Sequence, residues 1–207
     1  MIAILDYDAG NLTSVERAVR HLGFPCAVTS ELSAIAAADR IIFPGVGAAG
    51  SAMESLKRRG LDKALALAVD QGKPVLGICL GTQIILTQSE ENHTRCLGLV
   101  SGRVFAFPPD MKEDGERLKV PHMGWNNVEI LADHPVLADI RPEHQFYFVH
   151  SYYPQPENEA EILGRTRYGL SFPSVIGRKN LVATQFHPEK SGPPGLALLR
   201  NFCLWNP

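Results

Sequence analysis

The sequence predicts an α/β fold with an open, mostly parallel twisted sheet flanked by helices, and with additional antiparallel strands in the C-terminal half. In the first half, short apolar runs alternate with amphipathic segments, which is the pattern of βαβ units. From Leu97 onward, shorter runs are separated by turn residues, which is typical of hairpins. A length of 207 residues suits one core, so we expect residues 1–207 to form a single domain.

The first half supplies three predicted strands and two helical segments. Residues 2–7, 40–43 and 75–78 are short and apolar, as central parallel strands are. Residues 12–22 predict a helix, and helical pattern continues over residues 51–70. These elements alternate in the order that a parallel sheet requires.

The second half predicts hairpins and one last helix. Its candidate strands lie in the runs LVSGRVFAF, WNNVEIL, FYFVHSYY, AEILGRTRY and LVATQFHPE. Pro193 and Pro194 introduce a helix over residues 195–204, because proline is tolerated in a first turn where its missing N–H has no helical partner.

Charge and composition argue against several function classes. Lys and Arg total 20 against 22 Asp and Glu, with no basic run, so we expect no nucleic-acid partner. The N-terminus MIAILDYD lacks a basic segment followed by a long apolar one, so we expect no signal peptide, no membrane span and a cytoplasmic location. The four cysteines are far apart and form no CxxC pair, which predicts a reducing compartment and no metal site.

The stretch GICLG places Cys79 between Gly77 and Gly81, directly after an apolar run. This is the cysteine form of a nucleophile elbow, in which the sulfur stands above the carboxyl edge of the sheet at a helix N-terminus. The backbone N–H of Leu80 would then lie where an oxyanion forms. A small buried cysteine in a glycine turn explains the five residues equally well.

A second stretch, ATQFHPEK, carries His187 and Glu189. Pro188 disfavours a helical conformation at His187, so we expect this segment to be extended, with both side chains on one face. The strand rise separates them by about 6 to 7 Å. Cys79 as nucleophile, His187 as proton carrier and Glu189 as its orienting carboxylate would form a triad. A surface histidine at a strand end is the alternative for His187 alone.

A third stretch, PGVG at residues 44–47, follows a predicted strand. Its glycines would allow a backbone amide to turn toward the sulfur as a second oxyanion donor. An ordinary strand-to-helix turn fits the composition equally well.

Together, GICLGTQ, QFHPEKS and FPGVG resemble the class I glutamine amidotransferases, whose sheet is flavodoxin-like. DYDAGNLTS, SEE, PHMGWN and YFVHSYY are similar to one family within that class, the glutaminase subunits of imidazole glycerol phosphate synthases. The resemblance implies hydrolysis of glutamine to glutamate and ammonia through a thioester. The ammonia would pass to a separate (βα)8-barrel cyclase subunit in a heterodimer, which makes imidazole glycerol phosphate and aminoimidazole carboxamide ribotide in histidine biosynthesis. It implies no cofactor.

The resemblance also implies residue roles. The triad would be Cys79, His187 and Glu189, the oxyanion amides those of Val46 and Leu80, the glutamine contacts Gly45, Gln83, Glu91, Ser151 and Tyr152, and the cyclase-facing residues Asn11, Trp125, Tyr147 and Lys190. Plainer roles are also open: Gln83 as a helix-surface residue, Glu91 as a solvated acid, and Trp125 and Tyr147 as core aromatics. His150 is expected to be a packing or hydrogen-bonding residue.

Some positions depart from the family pattern. Asp8 stands where a glycine is usual, Thr82 where methionine is frequent, and Ala48 and Ala49 follow PGVG where an aromatic residue is usual. A related glutaminase serving another synthase, such as a sugar amidotransferase, could carry such changes. An independent cysteine hydrolase or a non-catalytic regulatory subunit would also be compatible with this fold class.

Overall fold

The computed structural model describes residues 1–113 and 115–207. In these ranges the strands are β1 (Ile2–Leu5), β2 (Cys26–Thr29), β3 (Arg40–Gly45), β4 (Val75–Cys79), β5 (Gln88–Ser89), β6 (Gly102–Ala106), β7 (Lys112–Glu113), β8 (Glu116–Arg117), β9 (His122–Asn127), β10 (Glu129–Ile130), β11 (Gln145–His150), β12 (Tyr152–Pro156), β13 (Ile162–Tyr168), β14 (Leu170–Arg178) and β15 (Leu181–Thr184). The α-helices are α1 (Leu12–His21), α2 (Leu32–Ala37), α3 (Ala49–Arg59), α4 (Leu61–Asp70), α5 (Leu80–Ile84) and α6 (Gly192–Leu204). Short 3-10 turns cover Glu91–His93, Pro135–Leu137, Glu159–Glu161 and Pro188–Lys190.

One eight-stranded sheet, in the order β10-β13-β14-β15-β4-β3-β1-β2, forms the centre of the fold. The five strands from β15 to β2 are parallel, and β14, β13 and β10 continue the sheet antiparallel. Smaller sheets pair β9 with β11, β6 with β12 and β5, and β7 with β8. The predicted fold class, a mostly parallel α/β sheet with antiparallel additions, is therefore confirmed.

Several predicted boundaries were wrong. The first strand ends at Leu5, and the helical run 51–70 is two helices separated at Gly60. Gly60 has φ 70°, and its N–H donates to the carbonyls of Leu56 and Lys57, so a left-handed residue ends α3 and redirects the chain into α4. Strand β14 was not predicted, although its nine residues form two of the sheet's antiparallel pairings.

The sheet is buried on both faces, because successive side chains along a strand point to opposite sides. Ile42, Leu76 and Ile78 pack into one apolar cluster, toward α1 and α6. Ile41 and Val75 pack into the other, toward α3 and α4. This double coverage explains why the central strands are continuously apolar. No described helix has the length and apolarity needed to cross a bilayer.

The carboxyl ends of β3, β4 and β15 are adjacent. Gly45 is in register with Cys79, and Thr184 is in register with Ile78. The chain leaving β15 therefore carries His187 past the end of β4, and the chain leaving β3 carries Val46 past its other side. Sheet order alone brings the three predicted stretches together at one edge.

Candidate active site

Cys79 ends β4 and precedes the first residue of α5. Its backbone has φ 55° and ψ −105°, a conformation that costs free energy for a residue with a side chain and is found at functional sites. A Cβ at Gly81 would lie 2.0 Å from the carbonyl oxygen of Phe43, so only glycine lets α5 start this close to β3. Cys79 is 6% exposed. The strained turn is what the elbow prediction requires and what a merely buried cysteine does not need.

His187 lies at the carboxyl edge next to β15, and its Nδ1 is 2.8 Å from Oε1 of Glu189. His187 is extended, as predicted, with φ −97° and ψ 94°. The predicted strand geometry of Glu189 was wrong, because residues Pro188–Lys190 form a 3-10 turn. The turn folds the carboxylate back onto the imidazole, and both side chains are nearly fully buried.

The charge state of His187 depends on its two acidic neighbours. Burial lowers the pKa of the imidazole, but interactions with the Cys79 sulfur and the Glu189 carboxylate outweigh burial and raise the pKa to about 10. The Nε2 atom is buried and has no partner of hydrogen-bond geometry among the described residues. A protonated imidazole beside a thiolate is the pairing that cysteine nucleophiles use.

Asn11 contacts the candidate triad directly. Its Nδ2 donates to the same Glu189 Oε1 that faces His187, although 178 residues separate the two positions. Asn11 has φ 72° and precedes α1. The sequence suggested only a partner-facing role for Asn11, because nothing in its neighbourhood indicates a contact so distant along the chain.

A pocket of about 400 Å³ opens beside Cys79. Its walls are Val46, Gly47, Cys79, Leu80, Gln83, Glu91, Pro121, Val149, His150, Ser151 and Tyr152. Of the expected glutamine contacts, only Gly45 is not among these residues. A Cβ on Gly45 would overlap the hydroxyl of Tyr7 at 1.9 Å, which explains the glycine by packing. A larger cavity, about 840 Å³, lies at the amino ends of β4 and β15 and does not include Cys79.

Gln83 is buried at 5% exposure, so the interpretation as a helix-surface glutamine is wrong. Its Nε2 donates to the Tyr152 carbonyl at 2.9 Å and to Gln185 Oε1 at 3.1 Å. Gln185 in turn directs its Nε2 at the Cys79 sulfur, 3.8 Å away. Gln185 was not predicted from the sequence, and the available signal was a polar residue inside the apolar run that precedes His187.

Glu91 is half-buried at the pocket wall, and its Oε2 accepts from the N–H of Ala49 at 2.6 Å. The carboxylate thus satisfies a free donor in the first turn of α3. Leu80 follows Cys79 as the first residue of α5, where backbone N–H groups have no helical partner. Val46 is 38% exposed at the rim. The two residues expected to supply oxyanion amides therefore line the same pocket as Cys79.

The residues expected to face a partner lie around this edge. Trp125 is 54% exposed, so the interpretation as a core aromatic is wrong for it. Tyr147 is half-buried and meets Trp125 edge to face at 6.0 Å, while Lys190 is exposed. The Tyr147 carbonyl also accepts from the His187 N–H at 2.9 Å, which connects this surface to the candidate triad.

Comparisons with known proteins agree with this geometry. Residues 3–205 match the family described as Glutamine amidotransferase class-I. The chain is 54% identical over 203 residues to imidazole glycerol phosphate synthase subunit HisH of Maridesulfovibrio salexigens, covering 98% of this chain and 95% of that protein. It is 46% identical over 207 residues to the same subunit of Pseudomonas syringae pv. syringae, covering 99% and 97%.

Solved structures share the fold. A glutamine amidotransferase crystal structure has a TM-score of 0.74 at 17% identity, covering 98% of each chain. PurLQS from Thermotoga maritima has a TM-score of 0.75 at 16% identity, covering 98% of this chain and 97% of that chain. With the family match and the near full-length identities, the chain belongs to the class-I glutamine amidotransferases and, within them, to the imidazole glycerol phosphate synthase HisH subunits.

Proposed function

We propose that this chain hydrolyses glutamine to glutamate and ammonia at Cys79 and delivers the ammonia to a separate cyclase subunit, which uses it to make imidazole glycerol phosphate and aminoimidazole carboxamide ribotide in histidine biosynthesis. The observation that carries the proposal is the strained Cys79 elbow with the buried His187–Glu189 pair beside it, at the wall of a pocket of about 400 Å³. The HisH subunits of Maridesulfovibrio salexigens and Pseudomonas syringae pv. syringae are 54% and 46% identical to this chain, which favours this acceptor over a sugar synthase.

The first half-reaction forms a thioester. The Cys79 thiolate attacks the side-chain amide carbon of glutamine, and the carbonyl π pair moves onto oxygen. The imidazolium of His187 then donates its proton to the amide nitrogen, the C–N bond breaks, and ammonia leaves. Glu189 holds the ring through Nδ1 and stabilises its positive charge. The raised pKa of His187 means that the ring carries this proton at neutral pH.

The second half-reaction releases glutamate. Water attacks the thioester carbon while His187, now neutral, accepts a proton from it, and the Cys79–carbon bond breaks with its electron pair on sulfur. The imidazolium and thiolate are thereby restored. In both steps a negative oxygen forms next to the elbow, where the N–H groups of Leu80 and Val46 are the proposed donors.

Delivery requires a partner, and we propose that this partner is a (βα)8-barrel cyclase bound over Asn11, Trp125, Tyr147 and Lys190. These residues surround the edge at which ammonia is produced. We further propose that the chain works in the cytoplasm, since its four cysteines are unpaired.

The central test is glutamate release by the complex of this chain with the cyclase subunit from the same organism. We expect Cys79→Ala to lose at least about 1,000-fold in rate, because the covalent route is removed. Cys96→Ala, at a buried cysteine outside the pocket, serves as the matched control and should keep its activity. Undiminished glutamate release by Cys79→Ala would rule out the thioester mechanism.

A second test concerns activation by the partner. Gly47 has φ 108° with open space around its Cα, and Val46 is exposed, so this segment is free to change the direction of its amide. If the partner sets the population of the competent conformation, the isolated chain should be a poor glutaminase. We expect stimulation of at least about tenfold when the cyclase and its phosphoribulosyl substrate are added. High activity of the chain alone, unchanged by the cyclase, would contradict this expectation.

A further inference from the structure

Two buried histidines beside the pocket have no role in the mechanism above. His122 on β9 and His150 on β11 are directly opposite each other in the antiparallel pairing of these strands, at 3% and 5% exposure. Aromatic rings enclose them: His122 stacks between Phe148 and Tyr168, with centroids at 4.8 and 4.0 Å. His150 also lines the pocket. Two polar rings in an aromatic core require a structural or functional reason.

The hydrogen bonds of the pair allow a single assignment of protons. His150 Nδ1 is 2.8 Å from the Tyr152 carbonyl oxygen, which can only accept, so Nδ1 carries the proton. His150 Nε2 is then an acceptor, and His122 Nδ1, 3.0 Å away, must donate to it. His122 Nε2 is left as an acceptor facing Asn126 Nδ2 at 3.3 Å. Donation thus runs in one direction from Asn126 through both rings to Tyr152.

The environment keeps both rings neutral. Burial lowers the pKa of His122 to about 4. The pKa of His150 is lowered to about 3, mainly by burial and with smaller contributions from His122 and His187, while the hydrogen bond to the Tyr152 carbonyl opposes the shift. A proton added to His150 Nε2 would place two N–H groups against each other across the 3.0 Å contact. A proton added to His122 Nε2 would place two N–H groups against each other at the 3.3 Å contact with Asn126 Nδ2. The complete row of hydrogen bonds from Asn126 to Tyr152 therefore exists only when both rings are neutral.

The row of hydrogen bonds from Asn126 ends at the Tyr152 carbonyl oxygen, and Tyr152 lines the pocket. The Tyr152 carbonyl accepts from His150 Nδ1 and also from Gln83 Nε2 at 2.9 Å, and Gln83 is hydrogen-bonded to Gln185 beside the sulfur. We infer that His122 and His150 are positioning residues, whose directed hydrogen bonds fix the Ser151–Tyr152 wall and the Gln83 amide for binding of the glutamine substrate. The inference rests on the proposed glutaminase function for its substrate, while the proton assignment is independent of it.

The first experiment reads the tautomers in the intact protein. Long-range 1H–15N spectra of chain labelled with 15N in its seven histidines, recorded at pH 7 and assigned with His122→Asn and His150→Asn, distinguish the two ring nitrogens. We expect both rings to be neutral with the proton on Nδ1. A proton on Nε2 of either ring, or a charged ring at pH 7, would overturn the inference whatever the enzyme activity.

The second experiment separates positioning from stability, in the complex with the cyclase. In His122→Phe the ring volume remains but His150 Nε2 loses its donor, so we expect the KM for glutamine to rise about tenfold or more with kcat changed much less. His122→Asn places an amide donor where Nδ1 was, and Asn126 keeps its bond to the Arg167 carbonyl, so KM should recover to within about threefold of the parent chain.

The control is His134→Phe, at a half-buried histidine that lines the cavity of about 840 Å³ instead, which should not raise KM. Equal KM values for His122→Phe and the parent chain, or a rise in His122→Asn as large as in His122→Phe, would overturn the positioning role. If His122→Phe fails to fold, the tautomer spectra of the parent chain still decide, because a proton on Nε2 of either ring removes the directed hydrogen bonds on which the positioning role depends. Absence of glutamate release from the parent complex would contradict the proposed function and leave the tautomer result standing by its own measurement.

Discussion

Gln185 is a fully buried amide that connects two functional groups of the pocket. It accepts from Gln83 and points its own donor at the Cys79 sulfur. A donor aimed at sulfur stabilises negative charge there, and its acceptor oxygen limits the orientation of Gln83. A buried side chain whose hydrogen bonds are all satisfied limits the pocket side chains to one conformation.

Replacing this amide should therefore reduce catalysis more than it reduces stability. In Gln185→Leu, of similar volume, the donor to Cys79 and the acceptor for Gln83 are both lost, and we expect kcat/KM to fall about 10- to 100-fold. Steady-state glutamate release in the complex measures this. Gln71→Leu, at an exposed position after α4, is the control, and equal kcat/KM for both variants would contradict a role for Gln185.

The neutral histidine pair also predicts a pH dependence of stability. The folded-state pKa values of His122 and His150 are lowered to about 4 and about 3, below the usual value near 6.5. Their contribution to the free energy of unfolding is complete above about pH 6.5. It is lost as the pH falls toward the folded-state pKa values, because the unfolded chain binds a proton at each histidine while the folded chain does not. In His122→Asn, one such group is absent.

We expect the free energy of unfolding of His122→Asn to decrease less steeply than that of the parent chain, by about 1 kcal/mol per pH unit between pH 6 and 4.5. Urea unfolding at several pH values measures the two slopes. His21→Asn, at an exposed histidine, controls for the loss of any imidazole. Parallel curves for His122→Asn and the parent chain would show that His122 titrates normally.

At the scale of elements, the unit of β4, Cys79 and α5 is held by close backbone contacts to both neighbouring strands. The helix begins directly at the end of the strand, and Gly81 lies against the backbone of β3. Thr82 Oγ1 donates to the Thr184 carbonyl of β15 at 2.6 Å, which attaches α5 to the neighbouring strand as well. The threonine that departs from the family pattern thus has a partner of its own.

A methyl group at Gly81 should separate α5 from β3. Because the opposing atom is a backbone oxygen 2.0 Å away, the clash cannot be relieved by a side-chain rotation, and we expect Gly81→Ala to cost about 3 kcal/mol or more. Gly72→Ala is the control, with φ 79° and open space, and should cost about 1 kcal/mol. Urea unfolding compares them, and equal costs would show that the elbow tolerates a side chain.

At the scale of the whole molecule, one edge of the sheet combines the pocket with exposed apolar side chains. Met123 and Trp125 are 63% and 54% exposed on β9, and the inner side of the two-stranded β9–β11 sheet carries the histidine pair. A partner that covers this face would therefore contact the strand pair that carries His150 and the Tyr147 carbonyl. Binding and catalysis can be coupled through this two-stranded sheet.

Removal of the largest exposed side chain should weaken association. We expect Trp125→Ala to raise the Kd for the cyclase at least about tenfold, as buried tryptophans do at interfaces, with the melting temperature of the isolated chain unchanged. Leu67→Ala, 56% exposed on α4, is the matched control and should bind normally. Titration calorimetry measures both, and an unchanged Kd for Trp125→Ala would exclude this face as the centre of the interface.

The features that could be predicted from the sequence depend on residues close together along the chain. The apolar run before GICLG predicts the elbow at Cys79, and Pro188 predicts the extended backbone of His187. The proline pair in the first turn of α6 and the βα alternation likewise depend on residues that are close together along the chain. In each case backbone conformation and strand burial follow from neighbouring residue types.

The remaining features depend on sheet order and register, which join residues far apart in the chain. Asn11 meets Glu189 across 178 positions, and Gln83 meets Gln185 across 102. Glu91 reaches Ala49, and His122 finds His150 only because β9 and β11 pair in one register. A directed hydrogen bond requires two atoms within about 3 Å, and no local pattern specifies such a distance between separate elements. The nucleophile could therefore be identified from the chain itself, whereas the polar network that orients the groups around it arises from the packing of the strands.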